Sequence, residues 1–397
     1  MKKLLVALFI ITCAHNVFSQ ENASKAVGSY ALVDKVALQR SADQVKTTQD
    51  IADYVNTHFA GNADRVRAIF IWVATNIQYD VENMFAINFY ESRQDKIDRA
   101  LASHKGICEN YAAIFNDVAG KCSIRSYIVE GYDKQNGFTD YLPHAWCAAQ
   151  IGSSWYLFDP TWGSGYVSNH KFTRKINNDL FMVSPEQLIK SHMPFDPMWE
   201  LLCYPITNQD FAAGKTQEDK NHPYFSYPDS ISVYEKQTTQ EQLAASARRV
   251  EANGVNNSLI YDRLQHLRLT LENNRQNLAV SEYNTAVADY NDGVNLFNIF
   301  INYYNEQFKP AKPDAEIQHM VDTVDNKLSS ARAHLAGIHQ ADASTLALIN
   351  SLQTSIAGIQ QHVDEQKEFV AKYMKKNKLG RKMMFNKYTW MGMPLNK

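Results

Sequence analysis

The stretch HKGICENYAAIF, residues 104–115, places a cysteine directly after a glycine turn and at the start of a helical pattern. Cys108 is therefore predicted at a helix N-terminus, where unpaired N–H groups favour the thiolate, the reactive form of the side chain. The same N–H groups can stabilise an oxyanion once the sulfur attacks a carbonyl carbon. Gly106 would let the backbone turn tightly and leave room for a substrate. The pattern indicates a cysteine nucleophile, which needs a general base and a group that orients that base.

A β-hairpin further along the chain can supply both groups. The segments HAWCAAQI and WYLFDP are two strand patterns separated by a short turn that contains Gly-Ser. With that Gly-Ser pair as the two-residue turn, His144 faces Thr161, and Asp159 lies diagonal to His144 on the same face. Diagonal neighbours are about 7–8 Å apart at the backbone, close enough for long side chains to meet. A helix bearing Cys108 and packed on this face would complete a Cys–His–Asp triad.

The elements that must position these residues are helices first and strands second. Residues 64–76 and 109–118 carry apolar side chains at helical spacing, whereas residues 124–129 form a strand pattern before the hairpin. Helices followed by an antiparallel meander indicate the α+β class. Residues 212–237 have the composition of a linker, with a strand pattern at 230–234.

The second half of the chain is helical in pattern, with few glycines. Three runs have apolar residues alternately three and four positions apart, which is a heptad pattern; they are Tyr283 to Tyr304, Ile317 to Ile338 and Ile349 to Val363. Pro310 and Pro313 break the helix after the first run. The simplest prediction is two long helices folded back as an antiparallel coiled-coil hairpin. The alternative is a three- or four-helix bundle with a break at residues 342–344.

The N-terminus predicts export. Residues 1–20 (MKKLLVALFIITCAHNVFSQ) have the basic start, the short apolar run and the small-residue end of a secretory signal peptide. Cys13 resembles a lipoprotein cleavage site, and lipidation there is the second alternative. No later stretch is long and apolar enough to cross a membrane. The protein is expected to be periplasmic or extracellular, either soluble or held by a lipid on Cys13.

Charge and cysteine usage exclude several function classes. A net charge of -2 over 397 residues argues against nucleic acid as the main partner. No CxxC or HxxxH spacing indicates zinc, and no acidic calcium-loop pattern is present, so no metal or cofactor is predicted. Besides Cys108, the mature chain keeps Cys122, Cys147 and Cys203. These are predicted to be core thiols, with a Cys122–Cys147 disulfide left open.

The motifs, taken together, resemble a known family. GICENY, LPHAW and WYLFDPTWGSGYV resemble the transglutaminase-like superfamily, and WVATNIQYD, HAWC and DPTWGSG are similar to its kyphoscoliosis peptidase-like branch. The segment SPEQLIKSHMPFDPMWELL, residues 184–202, also resembles that branch. The resemblance covers about residues 40–211 and implies a papain/transglutaminase-like core with an antiparallel sheet. It also implies that Cys108 is the nucleophile, His144 the general base and acid, and Asp159 the orienting group.

The predicted organisation has five segments. They are a signal peptide at 1–20, a transglutaminase-like domain at 21–211, a linker at 212–237, a helical coiled-coil domain at 238–380 and a C-terminal tail at 381–397.

The predicted activity is that of an exported thiol enzyme that acts on amide bonds through a thioester. Hydrolysis, as in a peptidase or amidase, is favoured over cross-linking because water is the default acceptor unless the site excludes it. The expected partners are a peptide or protein substrate and, through the helical domain, a further protein. The alternative is a non-catalytic peptide-binding or scaffold protein, because a fold does not fix a function. Cys147, where the resembling proteins usually have Asn after HAW, leaves the three predicted catalytic residues in place.

Overall fold

The computed structural model describes residues 30–84, 86, 91–134 and 142–385, and the backbone of residues 389–390 and 393–394. The predicted signal peptide at 1–20, with Cys13, lies outside the described residues, as do residues 386–388, 391–392 and 395–397 of the predicted tail. The chain divides into two compact units, and the boundary in the sequence lies between His266 and Leu267.

The first unit contains most of the short helices. They are α1 (Ala31–Ala37), α2 (Thr48–His58), α3 (Asn62–Asn76), α4 (Arg93–Ser103), α5 (Cys108–Lys121), α6 (Pro185–Leu188), α7 (Asn208–Ala212), α8 (Tyr227–Tyr234) and α9 (Thr239–Ala252). Helices α3 and α5 are the two predicted from apolar spacing, and both are buried along most of their length. Short 3₁₀ helices cover Ala42–Gln44, Asn178–Leu180 and Pro197–Glu200.

The strands of the first unit form one main antiparallel sheet and two small pairs. They are β1 (Gln78–Tyr79), β2 (Lys105–Gly106), β3 (Ser126–Asp133), β4 (Leu142–Ile151), β5 (Ser154–Phe158), β6 (Gly165–Ser168), β7 (Lys171–Arg174) and β8 (His192–Pro194). The main sheet has the order β5-β4-β3-β8, β6 pairs with β7, and β1 pairs in parallel with β2. The predicted α+β class is confirmed, with α5 packed against β3 and β4.

The predicted hairpin is β4–β5. Ile151 pairs with Ser154, so the turn is the predicted two-residue turn, and Gly152 within it has a φ of 63°. That left-handed conformation favours glycine because a side chain would be strained there. The register of the whole hairpin follows from this turn.

The strand predicted at 230–234 is wrong, because α8 covers these residues. Pro228 stands in the first turn of α8, where its missing N–H costs no hydrogen bond. Ile231 is the buried side chain of this helix and packs in the cluster that includes Trp199. One buried residue in five is compatible with a short helix as well as with a strand. The apolar alternation at 230–234 therefore could not distinguish the two structures.

The first unit continues beyond the predicted linker at 212–237. In α9, Arg249 forms a two-pronged ion pair with the buried carboxylate of Asp196, with both N–O distances at 2.7 Å. The compact unit therefore ends at His266, inside the helix α10 (Ser258–Asn305), and not at the segment 212–237 that has the composition of a linker.

The second unit is helical. After α10 it contains α11 (Asp314–Ala336), α12 (Ala343–Met374) and α13 (Lys378–Met383), with the short strands β9 (Thr389–Trp390) and β10 (Met393–Pro394) near the end. The predicted two-helix hairpin is wrong and the bundle alternative is right. The helix ends after Ala336, and Asp342 starts α12 by accepting the N–H of Thr345 at 2.6 Å.

The heptad residues of all three long helices, except Val294 of α10, belong to one core or pack against it. Val321, Val324 and Leu328 of α11 are fully buried in it, together with Phe300 of α10 and Ile356 of α12. The heptad face is therefore used within the unit, so it is not open to a partner helix. Among the described residues, no helix combines the length and the apolar character needed to cross a membrane.

Candidate active site

Cys108 is the first residue of α5, as predicted, and its side chain is buried. The space that a side chain at Gly106 would need is occupied by Asn110. A Cβ there would lie 2.6 Å from the Cβ of Asn110, so the glycine makes room for this side chain. Asn110 accepts the N–H of Ile107 at 2.9 Å and donates to the carbonyl of Lys96 at 2.8 Å. The glycine therefore fixes the turn that presents the thiol.

His144 and Asp159 make the contact that the hairpin register predicts. The Nε2 of His144, on β4, lies 2.9 Å from the Oδ2 of Asp159, directly after β5. The other oxygen, Oδ1, accepts the backbone N–H groups of Thr161 at 2.8 Å and of Trp162 at 3.1 Å. Because Oδ1 is held by the backbone, Oδ2 is aimed at the imidazole.

The electrostatics of the pair favour a charged histidine beside a charged carboxylate. Burial lowers the pKa of His144, but the charge and hydrogen bond of Asp159 and the nearby Cys108 thiol outweigh it, so the pKa lies well above its usual value. Burial alone would raise the pKa of Asp159, yet the charge and the hydrogen bond of His144 hold it well below the usual range. The two side chains therefore form an imidazolium–carboxylate pair at neutral pH.

The thiol of Cys108 lies beside the same imidazole: both side chains line one cavity, and Cys108 helps to raise the pKa of His144. Since the Nε2 of His144 faces Asp159, the nitrogen left for the thiol is Nδ1. That nitrogen also lies 3.9 Å from the Oδ2 of Asp133, a buried carboxylate on β3. The structure thus brings the three predicted residues into one line, with a further acidic side chain beside it.

An open cavity of about 860 Å³ lies against the thiol and the imidazole. Its wall combines apolar and polar side chains from several elements; among them are Tyr79, Met84, Lys134, Leu142, Trp162, Tyr166, Phe172 and Ser191. The indole of Trp162 forms part of this wall. The cavity therefore has apolar and aromatic walls next to the sulfur.

The profile of the transglutaminase-like superfamily matches residues 39–160. The matched segment begins before α2 and includes Cys108, His144 and Asp159. Residues 39–160 belong to the transglutaminase-like superfamily. The expected fold and family of this transglutaminase-like domain are thereby confirmed.

The sequence relatives agree with the predicted branch. Mouse kyphoscoliosis peptidase is 32% identical over 185 residues, 44% of this chain and 28% of that protein. The human kyphoscoliosis peptidase is 33% identical over 156 residues, 37% and 23% of the two chains, and Drosophila hillarin is 22% identical over 199 residues, 45% and 24%. The transglutaminase-like domain is similar to the kyphoscoliosis peptidases, and the matched region spans about a quarter of these relatives.

Two solved structures are similar over part of the chain. A crystal structure of a TGase is 17% identical, with a TM-score of 0.23, over 41% of this chain and 37% of that one. A putative cysteine protease from Cytophaga hutchinsonii is 24% identical, with a TM-score of 0.23, over 29% and 37%.

Sequence reasoning missed two residues of the transglutaminase-like domain's site. His192, on β8, places its Nε2 3.1 Å from the Oδ2 of Asp159, although its motif SPEQLIKSHMPFDPMWELL had been recognised. Tyr79 is set beside the thiol because it pairs with Gly106, two residues before Cys108. Burial raises the pKa of Tyr79 well above its usual value, so the phenol keeps its proton and can donate a hydrogen bond into the cavity.

Among the described residues, His144, Asp159 and His192 form a group with donor atoms within 4.8 Å of one another, a spacing that suits a metal ion. Both imidazole Nε2 atoms already face one carboxylate oxygen at hydrogen-bond distance. Since a carboxylate only accepts, both nitrogens must carry protons in this arrangement. The donor set is therefore satisfied by hydrogen bonds.

None of the other cysteines in the described part of the chain forms a disulfide. Cys122 and Cys147 are buried, as predicted, and burial raises the pKa of Cys122 to about 11 and that of Cys147 well above its usual value. The Sγ of Cys147 lies 3.4 Å from the carbonyl oxygen of Ala112 on α5. Cys203 is only half-buried, so the prediction of a core thiol is wrong there.

Proposed function

We propose that this protein is an exported cysteine-nucleophile enzyme that cleaves amide bonds through a thioester. One observation carries the proposal: Cys108 and His144 line the same open cavity, and Asp159 holds the imidazole of His144 at 2.9 Å. The name peptidase borne by two relatives supports a hydrolytic activity. The signal-peptide pattern at residues 1–20 supports export.

The acylation step uses the geometry of the thiol and the imidazole. The Cys108 thiolate attacks the amide carbon, a C–S bond forms, and the carbonyl π electrons move onto oxygen. N–H groups at the start of α5 are suited to stabilise that oxyanion. The His144 imidazolium then donates its proton to the amide nitrogen, the C–N bond breaks, and a thioester and a free amine result.

The deacylation step decides between hydrolysis and transfer. A water molecule attacks the thioester carbon and gives one proton to His144. The oxyanion then re-forms the carbonyl as the C–S bond breaks, which gives a carboxylic acid and returns the Cys108 thiolate beside the His144 imidazolium. Exposed side chains of β6, Tyr166 and Val167, border the cavity, so solvent reaches the wall that faces the thiol. Water access supports hydrolysis over transfer to an amine.

The lining of the cavity indicates the class of substrate. Leu142, Trp162 and Phe172 offer apolar and aromatic contacts, and Lys134 adds one cationic group. Apolar side chains are bound by such surfaces because their burial removes apolar area from water. The proposed substrate is a peptide or protein segment with an apolar side chain close to the scissile bond.

Alkylation by iodoacetamide is expected to select Cys108. Cys108 lines the open cavity beside His144, whereas Cys122 and Cys147 are buried thiols whose pKa values are raised by burial. At neutral pH we expect Cys108 to react about 10-fold faster than Cys203, the half-buried thiol outside the cavity. Mass spectrometry of tryptic peptides, sampled over time and pH, gives the rate at each cysteine.

His144→Ala serves as the test of cause, because it removes the imidazolium and leaves the helix start unchanged. In this variant Cys108 should no longer be alkylated faster than Cys203, while the alkylation rate of Cys203 should stay the same. Slow and equal labelling of all four cysteines in the wild type would favour the non-catalytic scaffold.

Hydrolysis and transfer are separated by product masses. The protein is incubated with a mixture of denatured-protein peptides, with and without a primary amine, and Cys108→Ala provides the blank. Hydrolysis gives new free carboxyl termini whether or not the amine is present. Products that carry the amine, with no free carboxyl termini, would contradict the proposed peptidase and indicate a cross-linking enzyme.

A further inference from the structure

We infer that His192 is a positioning residue of the proposed enzyme: it shares the Asp159 carboxylate with His144 and thereby sets how tightly His144 holds its proton. The inference rests on the proposed function, because it concerns the same triad. No motif analysis of the triad requires a second histidine, and the superfamily match at residues 39–160 ends before β8.

The contacts of His192 are complete on every side. Its Nε2 lies 3.1 Å from the Oδ2 of Asp159, and its Nδ1 lies 2.8 Å from the Oγ of Ser191. The ring is almost fully buried and packs edge-on against Trp162, at 4.6 Å between centroids, and Trp146, at 5.1 Å. A side chain held at two polar atoms and two aromatic faces has one orientation.

These contacts fix the tautomer. Asp159 can only accept, so the Nε2 of His192 carries the proton that faces it. Burial lowers the pKa of His192, which keeps the ring neutral, so Nδ1 accepts the hydrogen bond from the Ser191 hydroxyl. Ser191 also lines the cavity. A chain of hydrogen bonds therefore runs from the cavity wall back to the orienting carboxylate.

Asp159 divides its negative charge among four donors. Its Oδ1 accepts two backbone N–H groups, and its Oδ2 accepts the Nε2 of His144 and of His192. The second donor on Oδ2 weakens the attraction that this oxygen exerts on the proton of His144, because the charge is shared. His192 therefore makes the His144 imidazolium a better acid for the leaving amine.

The titratable groups around His144 come from every packed element. They are Cys108 from α5, Asp133 from β3, Asp159 from the end of β5 and His192 from β8. The first three act on the imidazolium directly through charge or a hydrogen bond. His192 hydrogen-bonds the same Asp159 oxygen as His144, so its removal changes the strength of the His144–Asp159 bond without removing either partner.

The test compares His192→Phe with His192→Gln. Phenylalanine keeps the aromatic packing but donates nothing, so Asp159 attracts the His144 proton more strongly. We expect the alkaline limb of kcat/KM against pH to move upward by about one pH unit and the turnover to fall about 10-fold. Glutamine places an amide N–H near the position of Nε2, so His192→Gln should keep the limb of the wild type. Cleavage of a peptide found in the product-mass experiment supplies the rates.

Results that overturn the role of His192 differ from results that overturn the proposed function. An unmoved alkaline limb in a folded His192→Phe protein, whatever its rate, would overturn the inference, because a structural role alone lowers rates at every pH. Tightly bound zinc, equimolar with the wild-type protein and lost in His192→Gln, would also overturn it in favour of a metal site. If the wild type shows no selective alkylation of Cys108, the proposed function itself fails, and that result does not depend on His192.

Discussion

Asp159→Asn is expected to lower kcat/KM by about 10⁴-fold while the first unit stays folded. The two backbone N–H groups at Oδ1, from Thr161 and Trp162, need an acceptor, so the amide oxygen of the asparagine takes that position. Its NH₂ group then takes the position of Oδ2 and faces the Nε2 of His144. Two donors cannot bond, so His144 must move its proton to Nδ1, the nitrogen that faces Cys108. An imidazole with a proton there cannot accept the thiol proton.

Measured rates and alkylation together test this account. The variant should lose the low-pH alkylation of Cys108 along with its peptide cleavage, because both need the imidazolium–thiolate pair. Asp117→Asn is the matched control: this α5 carboxylate pairs with Lys121 and Thr48, outside the cavity lining, and the change should leave kcat/KM as in the wild type. An Asp159→Asn enzyme within 10-fold of the wild type would contradict the role assigned to Asp159.

The predictable part of the site is the part that short-range geometry determines. A two-residue turn fixes every pairing in β4–β5, and the His144–Asp159 contact follows from counting along the two strands. Cys108 at the start of α5 follows from the glycine before it and the apolar period after it. The thiol and that hairpin are far apart in the sequence. Their contact was therefore predicted from the resemblance to the family and not from local geometry.

The unpredicted part reaches the site through distant pairing. β8 has three residues, too few for a periodic pattern, and it joins the sheet against β3, where His192 pairs with Asp133. His192, the second histidine that contacts Asp159, lies 33 positions after it in the chain. A single motif can indicate that such a residue matters, but only the sheet order shows which side chain it meets.

The helical unit shows the same limit. The heptads at Ile317 to Leu335 and Ile349 to Val363 predicted the buried face of α11 and α12 correctly. They did not determine whether the chain continues straight or turns back, because periodicity is identical in both cases. The hydrogen bond of Asp342 with Thr345 caps the start of α12, so the chain turns there and forms a bundle of three long helices.

The final prediction concerns the strand contact that holds β8 in place. Gly131→Ala is expected to lower the free energy of unfolding of the first unit by about 3 kcal/mol. A Cβ at Gly131 would lie 2.2 Å from the backbone oxygen of Met193 and 2.5 Å from the ring of Trp146, so β8 must move away from β3. Backbone atoms cannot yield as a flexible side chain does. Because Gly131 pairs with Pro194 and with His144, that movement also loosens His192 and the catalytic histidine.

Urea unfolding followed by tryptophan fluorescence measures this, since Trp72, Trp146, Trp155, Trp162 and Trp199, five of the six tryptophans, lie in the first unit. Gly120→Ala is the control, because a Cβ at that position in α5 meets nothing within 4 Å and alanine favours a helix by about 0.5–1 kcal/mol. Equal stability of the two variants would contradict the close contact of β3 and β8. A destabilised Gly131→Ala protein that kept the alkaline limb of the wild type would instead show that His192 holds Asp159 without help from the strand.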